Sequence, residues 1–288
     1  MPRRTLPAKQ LGRRLRRLRV QTGKSQAQAC TAVNAGRPKD LHITQGYLSR
    51  IENGSSRPDP DELATLCARL DAGDETTGQL TALLARTEQP AWWDDYGSTL
   101  GADLRFVLEL EDSADTLRIY ESMFVSGLLE TEEYAHAVIS ATGGNIRPMH
   151  VPKLVDLRME RREHLFKRSG FRGLVVVMGE TAVRQIVGGR SVMKGQLKRL
   201  EVDIEAGMDI RYLPYAKGPW PAVSSCAIYG FDDDVDPDVV EVDAEVGRGV
   251  YEDHDNISAA NHMFARALRN AEDPAATAAF LHGVAADL

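Results

Sequence analysis

The stretch ITQGYLSRIENG (43–54) gathers side chains able to read hydrogen-bonding edges. Gln45 can pair with an adenine edge, Arg50 can fork onto a guanine, and the Ser49 hydroxyl can donate or accept. At about 100° per residue, with Gln45 at zero, Gly46, Ser49 and Arg50 fall within roughly 140° of it. Tyr47, Leu48 and Ile51 fall on the other side. The stretch therefore reads as a short helix with one face packed and one face presented. Many exposed helix faces carry Gln and Arg for solubility alone, so the charge surrounding this face has to decide between the two readings.

Other chemistry finds little support in the residues. The seven histidines (42, 136, 150, 164, 254, 262 and 282) show no HExxH or metal-finger spacing. Nucleophile elbow, P-loop and GxGxxG patterns are missing, and "GGR" and "GGN" read as turns. The run from Asp234 to Glu245 has acids at the first, third, fifth and twelfth places of a calcium loop. Val239, however, takes the sixth place, where the sharp turn needs glycine, and "VVEVD" favours a strand. No catalytic residue, metal site or cofactor is expected, and the chain reads as a non-enzyme.

The elements that would position the reading face lie in a basic segment. Residues 1–70 hold 14 Lys and Arg against 5 Asp and Glu, or +9; the remainder holds 21 against 37, or −16. A disordered basic tail would not place Leu11, Leu15 and Leu18 at helical spacing among its arginines. A compact basic module beside an acidic one favours a polyanion for the first. Residues 9–22 read as a helix, Ser25 as the cap of a second, and Thr44 as the cap of a third from Gln45 to Asn53. Gly54 supplies the stop, and Asp61 is a plausible cap for "ELATLCARL".

Nothing in the chain is apolar for long enough to cross a bilayer, and the basic N-terminus has no apolar core of a secretory signal. The scattered Cys30, Cys67 and Cys226 suggest reduced thiols. A cytoplasmic, nucleoid-associated protein is expected.

"LRRLRVQTGKSQAQA" followed by "ITQGYLSRIENGSSRPDPDELATLCARLDA" resembles the phage-repressor (XRE) type of helix-turn-helix domain. That resemblance implies a double-stranded DNA partner and roles for individual residues. Gln26 would touch phosphate and brace the reading helix, Gln45 would read a base, and Asn53 would approach phosphate. Arg19 and Glu52 would form a structural ion pair. Thr44, Gly46, Ser49 and Arg50 complete the expected contact set, although Gly46 stands where a reading side chain is common. The sequence between Ser25 and Tyr47 is about eight residues longer than in the compact family pattern, the excess being "NAGRPKDLH". Arg37 and Lys39 on this loop are candidates for further phosphate contacts; an inconsequential surface insertion is the alternative. A homodimer is expected, since one short helix reads only a half-site.

Beyond the basic module, "GLVVVMG", "DIRYLPY", "SCAIYGF" and "VVEVDAE" read as strands and "PKLVDLRMERREHLFKR" as a long helix. A mixed sheet with helices follows, so the chain is α+β. The boundaries expected are a DNA-binding domain over 1–72, a linker helix over 73–91 and a regulatory domain over 92–288. "WWDDY", "IYESMFVSGLLETEEYAHAVI", "LRMERRE" and "YLPYAKG" resemble the C-terminal domain of actinobacterial XRE regulators of the WhiJ-like group. The resemblance implies a transcription regulator whose C-terminal domain binds an effector or a small partner protein encoded nearby. Trp92, Trp93, Tyr120, Glu121, Gly127, Leu128, Leu129, Glu130 and Tyr134 are the corresponding contact candidates. Ser126 and Glu130 depart from the group's usual Pro and Gln. Two other readings stay open: an antitoxin-like chain that neutralises a small partner, and an enzyme with an appended DNA-binding domain.

Overall fold

The computed structural model describes residues 5–142, 146–217, 223–231, 235–244 and 247–288. Asp234 and Glu245, the ends of the calcium-loop candidate, lie outside the described residues. The chain forms two compact units, Met1–Asp94 with Asp233–Asp236, and Asp95–Asp232 with Pro237–Leu288.

Among the described residues, five α-helices build the first unit: α1 (Leu6–Gln21), α2 (Gln26–Asn34), α3 (Gln45–Glu52), α4 (Pro60–Arg69) and α5 (Asp74–Glu88). Helix α1 begins earlier than its leucine spacing suggests, because Pro7 presets the first turn. Ser25 caps α2 in a reciprocal capping box with Gln28. Asp59, not Asp61, caps α4: Pro60 takes the first helical position, and Glu62 closes the box. The apolar stripes meet in one core that includes Leu11, Leu15, Val33, Leu48, Ile51 and Leu66. Helix α5, expected as a linker, contributes Leu80, Leu83 and Leu84 to that same core.

The 35–43 loop is fastened rather than slack. The Asn34 side chain donates to the Ile43 carbonyl and accepts from the Ile43 amide, both at 2.9 Å. Arg69 donates to the Ala35 carbonyl, and Lys39–Leu41 form a 3-10 turn.

In the second unit, six strands form a mixed sheet in the order β3-β2-β1-β4-β5-β6. After α6 (Ala102–Glu111) comes β1 (Thr116–Glu121); α7 (Glu132–Thr142) and α8 (Val151–Lys167) then lead to β2 (Gly173–Gly179). From there α9 (Glu180–Arg184) and α10 (Arg190–Glu205) lead to β3 (Asp209–Leu213). These three strands are parallel, so helical crossovers must join them. β4 (Ser225–Gly230), β5 (Val239–Ala244) and β6 (Gly247–Tyr251) run as an antiparallel meander, followed by α11 (His254–Asn270) and α12 (Pro274–Ala286). One sheet face presents Tyr120, Val177, Cys226, Ile228 and Val240 to Phe264 of α11. Along β1 the alternate residues Leu117, Ile119 and Glu121 take the opposite face. The expected α+β class is the one observed.

Helix α1 crosses α3 at a position only glycine can fill. A Cβ at Gly12 would stand 2.4 Å from the Ile51 carbonyl oxygen and 2.6 Å from that of Glu52. Gly54, at φ +75°, meets the α1 backbone just as closely, with its Cβ position 2.8 Å from the Lys9 amide. Gly12→Ala must therefore push α1 off the end of α3. We expect it to lower unfolding free energy by about 1–3 kcal/mol in urea titration, with α3 losing amide protection first.

Candidate nucleic-acid interface

Local chemistry starts and stops α3. The Thr44 hydroxyl accepts from the Tyr47 amide at 3.2 Å, and Gly54 turns the chain away in the left-handed region. Leu48 and Ile51 are buried. Thr44, Gln45, Gly46, Arg50 and Asn53 are exposed, and Ser49 is half-buried between them. Helical geometry thus brings Gln45, Gly46, Ser49 and Arg50 to one outward face, with the caps Thr44 and Asn53 exposed at its two ends.

A buried charge network fixes that face against α1 and α2. Arg19 pairs with Glu52 through two bonds, Nε to Oε1 at 2.5 Å and Nη2 to Oε2 at 2.9 Å. Its third nitrogen donates to the Lys24 carbonyl at 2.8 Å. Gln26 Nε2 donates to Glu52 Oε2 at 2.8 Å, so its side chain braces α3. The hydrogen bond to Glu52 raises the Arg19 pKa further, against the opposing pull of burial. An ion pair this buried is net favourable only when its remaining donors and acceptors are met, as they are here.

Tyr47 adds a strut that the sequence pattern did not reveal. Its hydroxyl lies 2.9 Å from Glu62 Oε2 and 3.0 Å from the Arg57 carbonyl, tying α3 to the α4 cap. Burial and the Glu62 carboxylate push its pKa upward. Elsewhere on this unit Arg16, Arg17 and Lys39 are exposed, and Arg37 is half-buried. Trp92 and Trp93 also belong to the first unit, edge to face at 5.4 Å, with Trp93 buried.

In the second unit, the expected contact candidates form mostly interior. Tyr120, Leu128, Leu129 and Tyr134 are buried. Gly127 lies under two arginines: its Cβ position is 3.7 Å from Arg161 Nη1 and 3.9 Å from Arg158. Glu130 is buried and pairs with Arg158. Arg161 grips Glu111 with two bonds, and Arg162 grips Asp203 in the same way. The Tyr229 hydroxyl donates to Glu241 at 2.7 Å, and Glu241 pairs with Arg248 at 2.8 Å. "LRMERRE" was the sequence sign of this belt, since its arginines at 158, 161 and 162 share a helix with apolar residues. Their partners Glu111 and Asp203 are too distant in sequence for spacing to reveal. Among the described residues, no cluster of His, Cys, Asp and Glu is arranged to hold a metal ion.

Glu121, at the end of β1, accepts one hydrogen bond, from Ser225 Oγ at 3.0 Å. Burial pushes its carboxyl up to about 8; the Ser225 bond pulls the other way, and Glu130, Glu241 and Asp243 add repulsion. The folded state therefore holds this proton more tightly than the unfolded chain. Stability falls as pH rises from about 4.5 through about 8. Glu121→Gln should raise stability by about 1–3 kcal/mol at pH 8.5 and leave it nearly unchanged at pH 4.5. Thermal melts at the two pH values test this, and an equal shift at both would contradict it.

A family model described as a helix-turn-helix domain matches residues 10–80. A second, described as a domain of unknown function (DUF5753), matches residues 104–283. No curated protein and no solved structure matches the chain. Among the described residues, no helix is long and apolar enough to cross a membrane.

Proposed function

The chain belongs to the DUF5753 family, and we propose that it is a homodimeric transcription regulator that reads operator DNA through α3. The observation that carries this reading is the outward polar face of α3, held by the Arg19–Glu52–Gln26 network within a segment of charge +9. A rigid helix with an unobstructed polar face can enter a major groove, while the positive field supplies affinity for phosphate. Gln45, Ser49 and Arg50 are assigned to base edges; Gln26, Thr44, Asn53, Arg37 and Lys39 to phosphate positioning. The helix-turn-helix match supports the DNA partner. The XRE type and the WhiJ-like actinobacterial group are inferred from the sequence motifs, and a cytoplasmic, nucleoid-associated location from the scattered cysteines and the DNA partner.

The DUF5753 domain is assigned to regulation rather than catalysis, through a small partner protein or effector acting on the 120–134 segment. Interior side chains there, such as Tyr134 and Glu130, would hold the segment in shape while its exposed parts make contact.

Replacing Gln45 and Arg50 together by Ala should abolish preference for the operator while retaining the fold and non-specific binding. Competition titration of operator against random duplex measures this, and specific binding that survives would mean another element reads DNA. The 35–43 loop is tested separately. Arg37→Ala with Lys39→Ala should reduce the slope of log K against log salt by about two. An unchanged slope would remove the loop from the interface.

A further inference from the structure

Gly46 stands in the first turn of α3, where a side chain would point outward beside Gln45. The Arg50 guanidinium, one turn further on, borders that space. Long helical side chains lean toward the helix N-terminus, which carries the Arg50 guanidinium back to the level of Gly46. Arg50 Nη1 lies 3.8 Å from the position a Gly46 Cβ would take. Nε donates to Ser56 Oγ at 3.3 Å, and the guanidinium carbon is 5.7 Å from the centre of the Tyr47 ring.

Each surface beneath this guanidinium is itself tied down. Tyr47 is held by Glu62 and the Arg57 carbonyl. The Ser56 amide returns to the Arg50 carbonyl at 3.1 Å, beside that of Ser55 at 2.8 Å. With Nε turned to Ser56 and Nη1 beside Gly46 on an exposed side chain, the two terminal nitrogens are left for a partner, and such a pair can meet guanine O6 and N7.

We propose that Gly46 determines base specificity by leaving its place on the reading face to the Arg50 guanidinium, which Tyr47 and Ser56 preorganise to read a guanine. This rests on the DNA-reading role of α3 proposed above. A β-carbon alone would only touch Nη1, whereas a longer side chain at 46 would compete with the Arg50 guanidinium for the space beside it. The glycine, an oddity by composition, is then a requirement of a neighbour four residues along.

The test is selection of binding sites from a randomised duplex pool by the whole protein and by Arg50→Ala, Gly46→Gln and the double variant. The native chain should enrich a guanine at one half-site position. Arg50→Ala should reduce preference for that guanine about tenfold or more, and Gly46→Gln should do the same while its Arg50 remains in place. Positions read by Gln45 should keep their preference in both single variants. Adding Gly46→Gln to Arg50→Ala should cause no further loss at the guanine. Gly46→Gln exchanges glycine for a good helix former at an exposed site, and circular dichroism melts check that α3 is retained. The inference is overturned if Gly46→Gln keeps the native guanine preference. It is equally overturned if Arg50→Ala weakens all sequences alike and lowers the salt slope by about one, which would make Arg50 a phosphate contact. A native chain that enriches no sequence would instead overturn the reading role of α3, and this inference with it.

Discussion

Three helices and one buried carboxylate hold the outward face of α3 in place. Glu52 ends α3 on its inner side, and Arg19 from α1 and Gln26 from α2 converge on it. Removing either partner would strand the other's charge in the interior. The three partners come from three helices, so the network sets the angle at which α3 emerges. Close contact at Gly12 and Gly54 completes the constraint, because α1 can approach Glu52 only where no side chain intervenes. With α3 fixed by its inner face, its polar residues Gln45 and Arg50 are exposed on the outer face.

The second unit applies the same physics to a different end. Its sheet has an apolar face against α11 and an opposite face where β1 and β5 carry acids. Arg158 and Arg161 from α8 and Arg248 from β6 meet Glu130, Glu111 and Glu241. Glu121 has a hydroxyl in place of a cation, so burial pushes its carboxyl upward with no ion pair to offset it. A ligand or partner that brought positive charge to this carboxylate would favour its ionised form, linking binding to pH.

Much of the first unit could be read locally. The caps at Ser25 and Thr44, the stop at Gly54 and the Arg19–Glu52 pair all stood in the sequence or in the family resemblance it carries. The α4 cap was displaced from Asp61 to Asp59 because two aspartates flank Pro60, and only the first leaves the proline in the first helical turn. Helix α6 was not assigned, and β6, "GRGVY", has glycines where alternation would have marked a strand. Pairing with β5 makes β6 a strand, and such pairing is not a property of five residues. Several contact candidates near 120–134 proved to be interior because their quoted motif mixes the residues that shape a turn with those that surround it.

By itself, the sequence determined the local elements and the charge division: periodicity sorts Leu48 and Ile51 from Gln45 and Arg50, and counting separates a basic module from an acidic one. Those properties depend on residues a few positions apart, which backbone geometry ties together. Tertiary structure alone decided which charges are buried, that α5 joins the first core, and that Arg50 fills the space beside Gly46 against Tyr47 and Ser56. Such outcomes depend on distances between groups far apart along the chain, or on side-chain direction within a packed surface. Packing sets both, and local propensity does not.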